Sequence, residues 1–204
     1  MPIVIHFVKS ASNEVLNMRP TREQARENRR RIIETAAQLF RENGIHAVGV
    51  DAVMKGAGLT HGGFYGHFKS KDELTAEAVS HAMRESLESE PPFGSIAEFA
   101  AAYLSREHRD ASGEGCTIAA LGPELARLPG EKRGSVTEYV IVRVRQMEKL
   151  QSTEGGASDR RKAIADLSSM IGALVMARAV GDEELSNEIL EETRQSLSGG
   201  KEAM

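Results

Sequence analysis

From residue 20 onward, apolar positions recur at spacings of three and four, and almost every segment they outline reads as helix. In "TREQARENRRRIIETAAQLFRENG" (21–44), Ile32, Ala36, Leu39 and Phe40 form one stripe. Thr21 with Gln24 three residues on predicts a capping box, and Gly44 suits a left-handed stop. "VGVDAVMKGAG" (48–58) carries a shorter apolar face, Val50, Val53, Met54 and Ala57, and turns at Gly58. "LTHGGFYGHF" (59–68) is expected to be a third short helix with Thr60 as N-cap. Ser70 caps a fourth, "KDELTAEAVSHAMRESLE" (71–88), and Pro91-Pro92 prevents its continuation.

The remainder repeats this grammar. "SIAEFAAAYLSREHRD" (95–110) is expected as one helix, and "CTIAALGPELARL" (116–128) as one bent at Pro123. "PGEKRGSVTEYVIVRVRQMEKLQ" (129–151) contains the β-rich run "YVIVRV". It is read as helix because Val136, Val140, Val144, Met147 and Leu150 keep helical spacing. After a "GGAS" separator, "DRRKAIADLSSMIGALVMARAVG" (159–181) and "DEELSNEILEETRQSLSGG" (182–200) close the chain. The expectation is an all-α protein of about nine helices. Residues 1–18 read as an N-terminal extension, 19–75 as one domain and 76–204 as a second.

Charge refines this division. The formal net charge is −4, which by itself argues against a polyanion partner. Between Arg19 and Lys71, however, ten Lys or Arg face five acids, and the deficit lies entirely after residue 71. A basic front and an acidic back point to different partners. Cys116 is the one cysteine, so no intramolecular disulfide or cysteine-rich zinc site can form, and a reducing cytoplasm is expected. No apolar run reaches the ~18 residues that a membrane span needs. "MPIVIHFVKSASNEVLNM" lacks the early charge and long apolar core of a signal peptide. His61 and His67 are six apart, wrong for one helical face, and no cluster has metal-ligand spacing, so neither metal nor cofactor is expected.

The unusual stretch is "GLTHGGFYGHFKSKDEL" (58–74), where Gly62, Gly63 and Gly66 stand among aromatic and basic residues. Two short helices joined by a tight turn at Gly58 match a helix-turn-helix unit. The second helix of that unit lies in the major groove with its first residues at base edges. Glycine at Gly62 and Gly63 lets a backbone come close to such a groove, at roughly 1 kcal/mol of helix stability each. Tyr65, His67 and Lys71 carry donors for phosphate oxygens, contacts that set register on a duplex. Phe64 and Phe68, four apart, belong on the inward face with Phe40 and Val53. Arg26, Arg29 and Arg30 suit either further phosphate contacts or a solvated basic face.

"RIIETAAQLFRENGIHAVGVDAVMKGAGLTHGGFYGHFKSKDEL" resembles the DNA-binding domain of the tetracycline-repressor (TetR) family of bacterial regulators. The resemblance covers about residues 25–75 and rests on "AAxLFxxxG", "AGLT" and "FYxHFxSKxxL" in succession. It implies phosphate contacts at Tyr65, His67 and Lys71, groove-facing positions at Thr60, His61 and Gly63, and a backbone contact at Val50. Val50 can offer only its main-chain N–H where the family often has Ser or Thr. The resemblance further implies a homodimer on a double-stranded DNA operator, closed through its last two helices, here residues 158–197. It also implies a small-molecule inducer held in the C-terminal domain.

The C-terminal residues add two features. "AIADLSSMIGALVMARAV" is apolar nearly all round, which fits either a core helix of a monomer or a helix packed inward and against a partner. Cys116 follows Gly115 at a helix start, where free amides favour thiolate while Glu114 opposes it. Some TetR-family regulators with a similar Gly-Cys segment sense oxidants or electrophiles there; the position suits a buried small hydrophobe better, since free Cys is among the most buried residue types. Tyr103, His108, Tyr139, Met147 and Met176 fall on helices expected to surround a pocket, although each also suits a core. Two other classes are weighed. "HGGF" (61–64) resembles a hydrolase oxyanion segment, but the G-x-S-x-G elbow such an enzyme needs is absent, so no enzyme is expected. An acidic helical scaffold would leave the basic front and the Tyr65, His67, Lys71 set unexplained.

Overall fold

The computed structural model describes residues 21–153 and 158–198. The expected extension at 1–18, most of the "GGAS" separator and the final residues of the tail lie outside them. Nine α-helices and two 3-10 turns make up the described chain, with no strand among the described residues. The α-helices are α1 (Arg22–Asn43), α2 (Val50–Gly56), α3 (Lys71–Glu88), α4 (Ile96–Tyr103), α5 (Arg106–Asp110), α6 (Thr117–Leu125), α7 (Gly134–Thr153), α8 (Arg160–Ala179) and α9 (Glu183–Ser198).

Local chemistry explains most boundaries. Thr21 and Gln24 form the reciprocal capping box of α1. Ser70 accepts the Glu73 N–H to start α3. Gly44 and Gly58 have φ of 85° and 67°, a region L side chains avoid, and they end α1 and the α2 turn.

Three expectations are corrected. Residues 61–66 form a 3-10 helix, not an α-helix, and the Thr60 side chain makes no cap bond. Three glycines in six residues, and the bend needed to bring both Phe64 and Phe68 inward, favour the tighter winding. The segment 95–110 is two helices, because the Ser105 hydroxyl accepts the His108 N–H at 3.1 Å and opens α5. In α7 the buried stripe runs Tyr139, Arg143, Val144, Met147 and Leu150, while Val140 lies 37% exposed. The "YVIVRV" run is helical throughout.

Two apolar cores organise the molecule. The first gathers Phe40, Val53, Met54, Phe64 and Phe68 with α3 residues through Met83, and also Leu121, Leu125 and Tyr139. The second holds Phe99, Cys116, Met147, Met170 and Leu174 from α4 and α6–α9. Helix α3 runs unbroken through the division expected at residue 75, and α6 feeds both cores. The two regions are therefore joined through packed side chains rather than a linker.

Candidate nucleic-acid interface

Helix α2, the turn at Gly58 and the 3-10 helix form the helix-turn-helix. Arg31 of α1 pins the turn by donating to the Ala57 carbonyl. Phe64 and Phe68 are buried and stack with centroids 5.7 Å apart, which anchors the inner side of the 3-10 helix. Its outer side is bare. Thr60, His61, Gly62, Tyr65 and Gly66 are exposed, Tyr65 at 73%, and Gly63 and His67 half-exposed. A Cβ built on Gly62 or Gly66 would meet nothing within 4 Å, and one on Gly63 only the Met54 methyl at 3.6 Å. Neither internal packing nor backbone strain requires glycine at Gly62 or Gly66.

The polar residues of this face are partly engaged. His61 pairs with Asp51 of α2. Lys71 donates to the Ile45 carbonyl at 2.6 Å, so its ammonium is tied to the loop between α1 and α2. Burial, and then the Arg29 charge, holds His67 below the ordinary imidazole value and favours its neutral form. Val50 is the first residue of α2, half-buried, after a Gly49 cap with no side chain to satisfy the helix amides. Arg29 is not available to a phosphate as it stands: it holds Glu77 through two 2.5 Å bonds and lies over the Phe68 ring. Arg30 is bracketed by Glu27 and Glu34.

The sensor and pocket candidates separate into three environments. Tyr103, His108, Tyr139 and Cys116 line one cavity of about 280 Å³ between α3, α4, α5, α7 and the loop that leads into α6. Met147 is fully buried in the second core, and Met176 is 53% exposed on α8, so neither reaches that cavity. Cys116 is the N-cap of α6, buried, and its N–H donates to His108 Nε2 at 3.0 Å. Since Nε2 accepts, Nδ1 carries the proton and donates to the Tyr103 carbonyl at 2.6 Å. His108 is thus a structural brace with both nitrogens used, and burial holds its pKa below the ordinary value. Among the described residues, no three His, Cys, Asp or Glu gather as a metal site, and no helix is long and apolar enough to cross a membrane.

Residues 32–78, from mid-α1 to mid-α3 and so the whole helix-turn-helix, match the family of bacterial regulatory proteins named tetR. The helix-turn-helix region of this chain is of the TetR type. The regulator AcrR of Shigella flexneri is 37% identical over 59 residues, which cover 29% of this chain and 27% of AcrR. That match therefore spans under a third of the relative's length. UidR of Escherichia coli K12 is 25% identical over 134 residues, 61% of this chain and 68% of UidR. The crystal structure of a TetR transcriptional regulator from Chloroflexus aurantiacus superposes with a TM-score of 0.71 at 21% identity, over 87% of this chain and 95% of that one. The last likeness is one of fold.

One of the contacts that join the two regions runs through α6. Glu124, near the end of α6, accepts the N–H groups of Ile45 at 3.0 Å and His46 at 3.3 Å. The loop 44–46 is then held on one side by α6 and on the other by Lys71 of α3. Glu124 is not among the residues that the sequence singles out, because a glutamate on an amphipathic helix has no local signature of a partner 79 residues away. The same holds for the buried Arg143, which bonds Glu90, Gln146, Ser86 and Tyr139 beside the cavity.

Proposed function

We propose that this chain is a homodimeric DNA-binding transcription regulator acting as a repressor on a pseudo-palindromic operator. Val50, Thr60, His61, Gly62, Gly63, Tyr65, His67 and Lys71 form its DNA-facing set. The observation that carries this reading is the glycine face of the 3-10 helix: its backbone lies open to the outside, and nothing inside the protein calls for glycine there. A groove-bound backbone supplies that reason. Lys71 exchanges the Ile45 carbonyl for a phosphate on binding, and the α1–α2 loop adjusts with it.

Dimerisation is assigned to α8 and α9, residues 158–197. Ile164, Val175 and Met176 on α8 and Leu185 on α9 are large apolar side chains left exposed, and a Cβ on Gly172 of α8 would meet nothing within 4 Å. An exposed apolar helix face with a small residue at its centre suits a second helix packed closely on it. Two recognition elements then reach successive major grooves.

Release is assigned to a small molecule entering the cavity beside Cys116, or to modification of the Cys116 thiol. Glu124 supports both, since it links α6, whose first turn Cys116 caps, to the loop that carries α2. The test is gel-shift binding to DNA flanking the chain's own gene, with the protein reduced, oxidised, and as Cys116→Ser. Salt-dependent binding with log affinity falling linearly in log salt is expected of phosphate contacts. Loss on oxidation in the wild type alone assigns the thiol. Loss with neither treatment leaves the cavity as the trigger. No binding at low salt to flanking or randomly selected genomic DNA defeats the reading.

A further inference from the structure

The cavity beside Cys116 has aromatic walls and, apart from the exposed Glu114, charges that are already paired. Phe93, Phe99, Tyr103 and Tyr139 supply rings to its lining. Phe93 meets Phe99 edge-on with centroids 5.2 Å apart, and Phe99 lies 5.8 Å from Tyr103. Arg143 and Glu90 both reach the lining, and they are each other's partners. Arg143 is further held by Gln146 at 2.8 Å, by the Ser86 hydroxyl at 2.8 Å and by the Tyr139 hydroxyl at 3.1 Å. Its guanidinium stands 5.1 Å from the Tyr139 ring centre, so the cation-attracting face of that ring is taken. His108 is braced in its neutral form, with neither nitrogen free.

These features discriminate by charge. An anion entering would find no unpaired cation in the lining and would pass the exposed Glu114 carboxylate. A cation would find the Glu90 carboxylate already held by Arg143, and Glu114 only at the exposed edge. One polar group of the lining has no partner beyond a weak contact with the Cys116 thiol: the buried Tyr103 hydroxyl. Its electrostatic neighbours are the Cys116 thiol, a weak acceptor, and the Tyr139 hydroxyl, which already accepts from Arg143. A volume of about 280 Å³ is nine or so times a water's share of liquid, ~30 Å³, which admits one ring with a short substituent.

We propose that this cavity binds an uncharged, single-ring aromatic compound whose carbonyl oxygen accepts a hydrogen bond from the Tyr103 hydroxyl. The proposal rests on the reading of this cavity as the regulatory site. Ring edges of Phe93 and Phe99 flank the ligand, and shape sets its size. No covalent step is involved, so Cys116 acts here only as part of the wall and as the cap of α6.

The test is calorimetric titration of the full-length protein with four probes of one size: benzamide, acetophenone, benzoate and benzylammonium. Benzamide and acetophenone are expected to bind saturably, and the two ions at least tenfold more weakly. Tyr103→Phe is expected to weaken the carbonyl compounds about tenfold, the value of one hydrogen bond. The same variant should melt at or above wild type without ligand, because it removes a buried hydroxyl with only a weak partner. Absence of binding by both uncharged probes overturns the proposal, as does equal binding of an ion or an unchanged affinity in Tyr103→Phe. Gel shifts separate it from the regulatory reading. An uncharged probe that binds but does not affect DNA binding sinks the regulatory reading and leaves the ligand class standing. Benzoate that binds and releases DNA does the reverse.

Discussion

At Gly62, backbone propensity and the proposed approach to a groove pull in opposite directions. Alanine there would find open space and would improve the intrinsic propensity by about 0.5–1 kcal/mol. Gly62→Ala is therefore expected to raise the melting temperature slightly and to weaken operator binding by tenfold or more. Gel shift and thermal melting on the same preparation read both; unchanged DNA affinity would remove the groove-approach argument. The opposite case is Gly58. Its φ is 67°, and any Cβ there would stand 2.8 Å from the Arg31 guanidinium, so its reason for being glycine is internal. His108 ties residue chemistry to pH. Its unfolded imidazole titrates near 6.5, and burial lowers the folded value. Between the two values only the unfolded chain holds the proton. Its stabilising share is thus complete above about pH 6.5 and is lost as pH falls toward the folded value. Protonation also turns Nε2 into a donor facing the Cys116 N–H. His67 is shifted the same way and adds to the slope. The melting temperature should fall on going from pH 7 to pH 5.5, and less so in His108→Gln; equal slopes would exclude His108.

Among the elements, the 3-10 helix and α6 carry the behaviour. The 3-10 helix has poor hydrogen-bond geometry and three glycines, held mainly by Phe64 and Phe68. Its amides are expected to exchange rapidly in the free protein and to gain protection on operator DNA. Equal exchange with and without DNA would contradict a binding-induced ordering. For α6, Glu124→Ala leaves the N–H groups of Ile45 and His46 without their acceptor. Faster exchange at residues 44–48 and a several-fold loss of operator affinity are expected, with the α8–α9 region unaffected. If both stay at wild-type values, α6 does not communicate through this contact. Helix periods along the chain made α1, α3, α7, α8 and α9 legible, since burying one face imposes spacing. The break at Ser105 was not, because a single serine cap inside an apolar period competes with continuing the helix, and only packing of α5 on α8 decides.

For the whole molecule, the proposed function has the basic front and acidic back set the polarity of the DNA interaction, and α8 the assembly. Met176→Lys is expected to convert a dimer to a monomer in light scattering and to lower operator affinity far more than a surface change away from α8 and α9. A dimer retained with normal affinity would place the interface elsewhere. Charge reading at this scale needs the structure as a filter: Arg29 and Arg30 count toward the basic front, yet each is spent on neighbouring glutamates.

By itself the sequence determined the helical class, most helix limits and the type of its helix-turn-helix, because periodicity, caps and the residues of that unit are local along the chain. It also singled out Tyr65, His61 and the glycines, whose exposure follows from lying opposite Phe64 and Phe68. Only the tertiary structure decided that Tyr103, His108, Cys116 and Tyr139 share a cavity while Met147 and Met176 do not. It alone paired Glu124 with Ile45 and Arg143 with Glu90. Apolar side chains pack a core or line a hollow with the same composition. A carboxylate's partner is chosen by which helices meet, and neither fact is written in spacing.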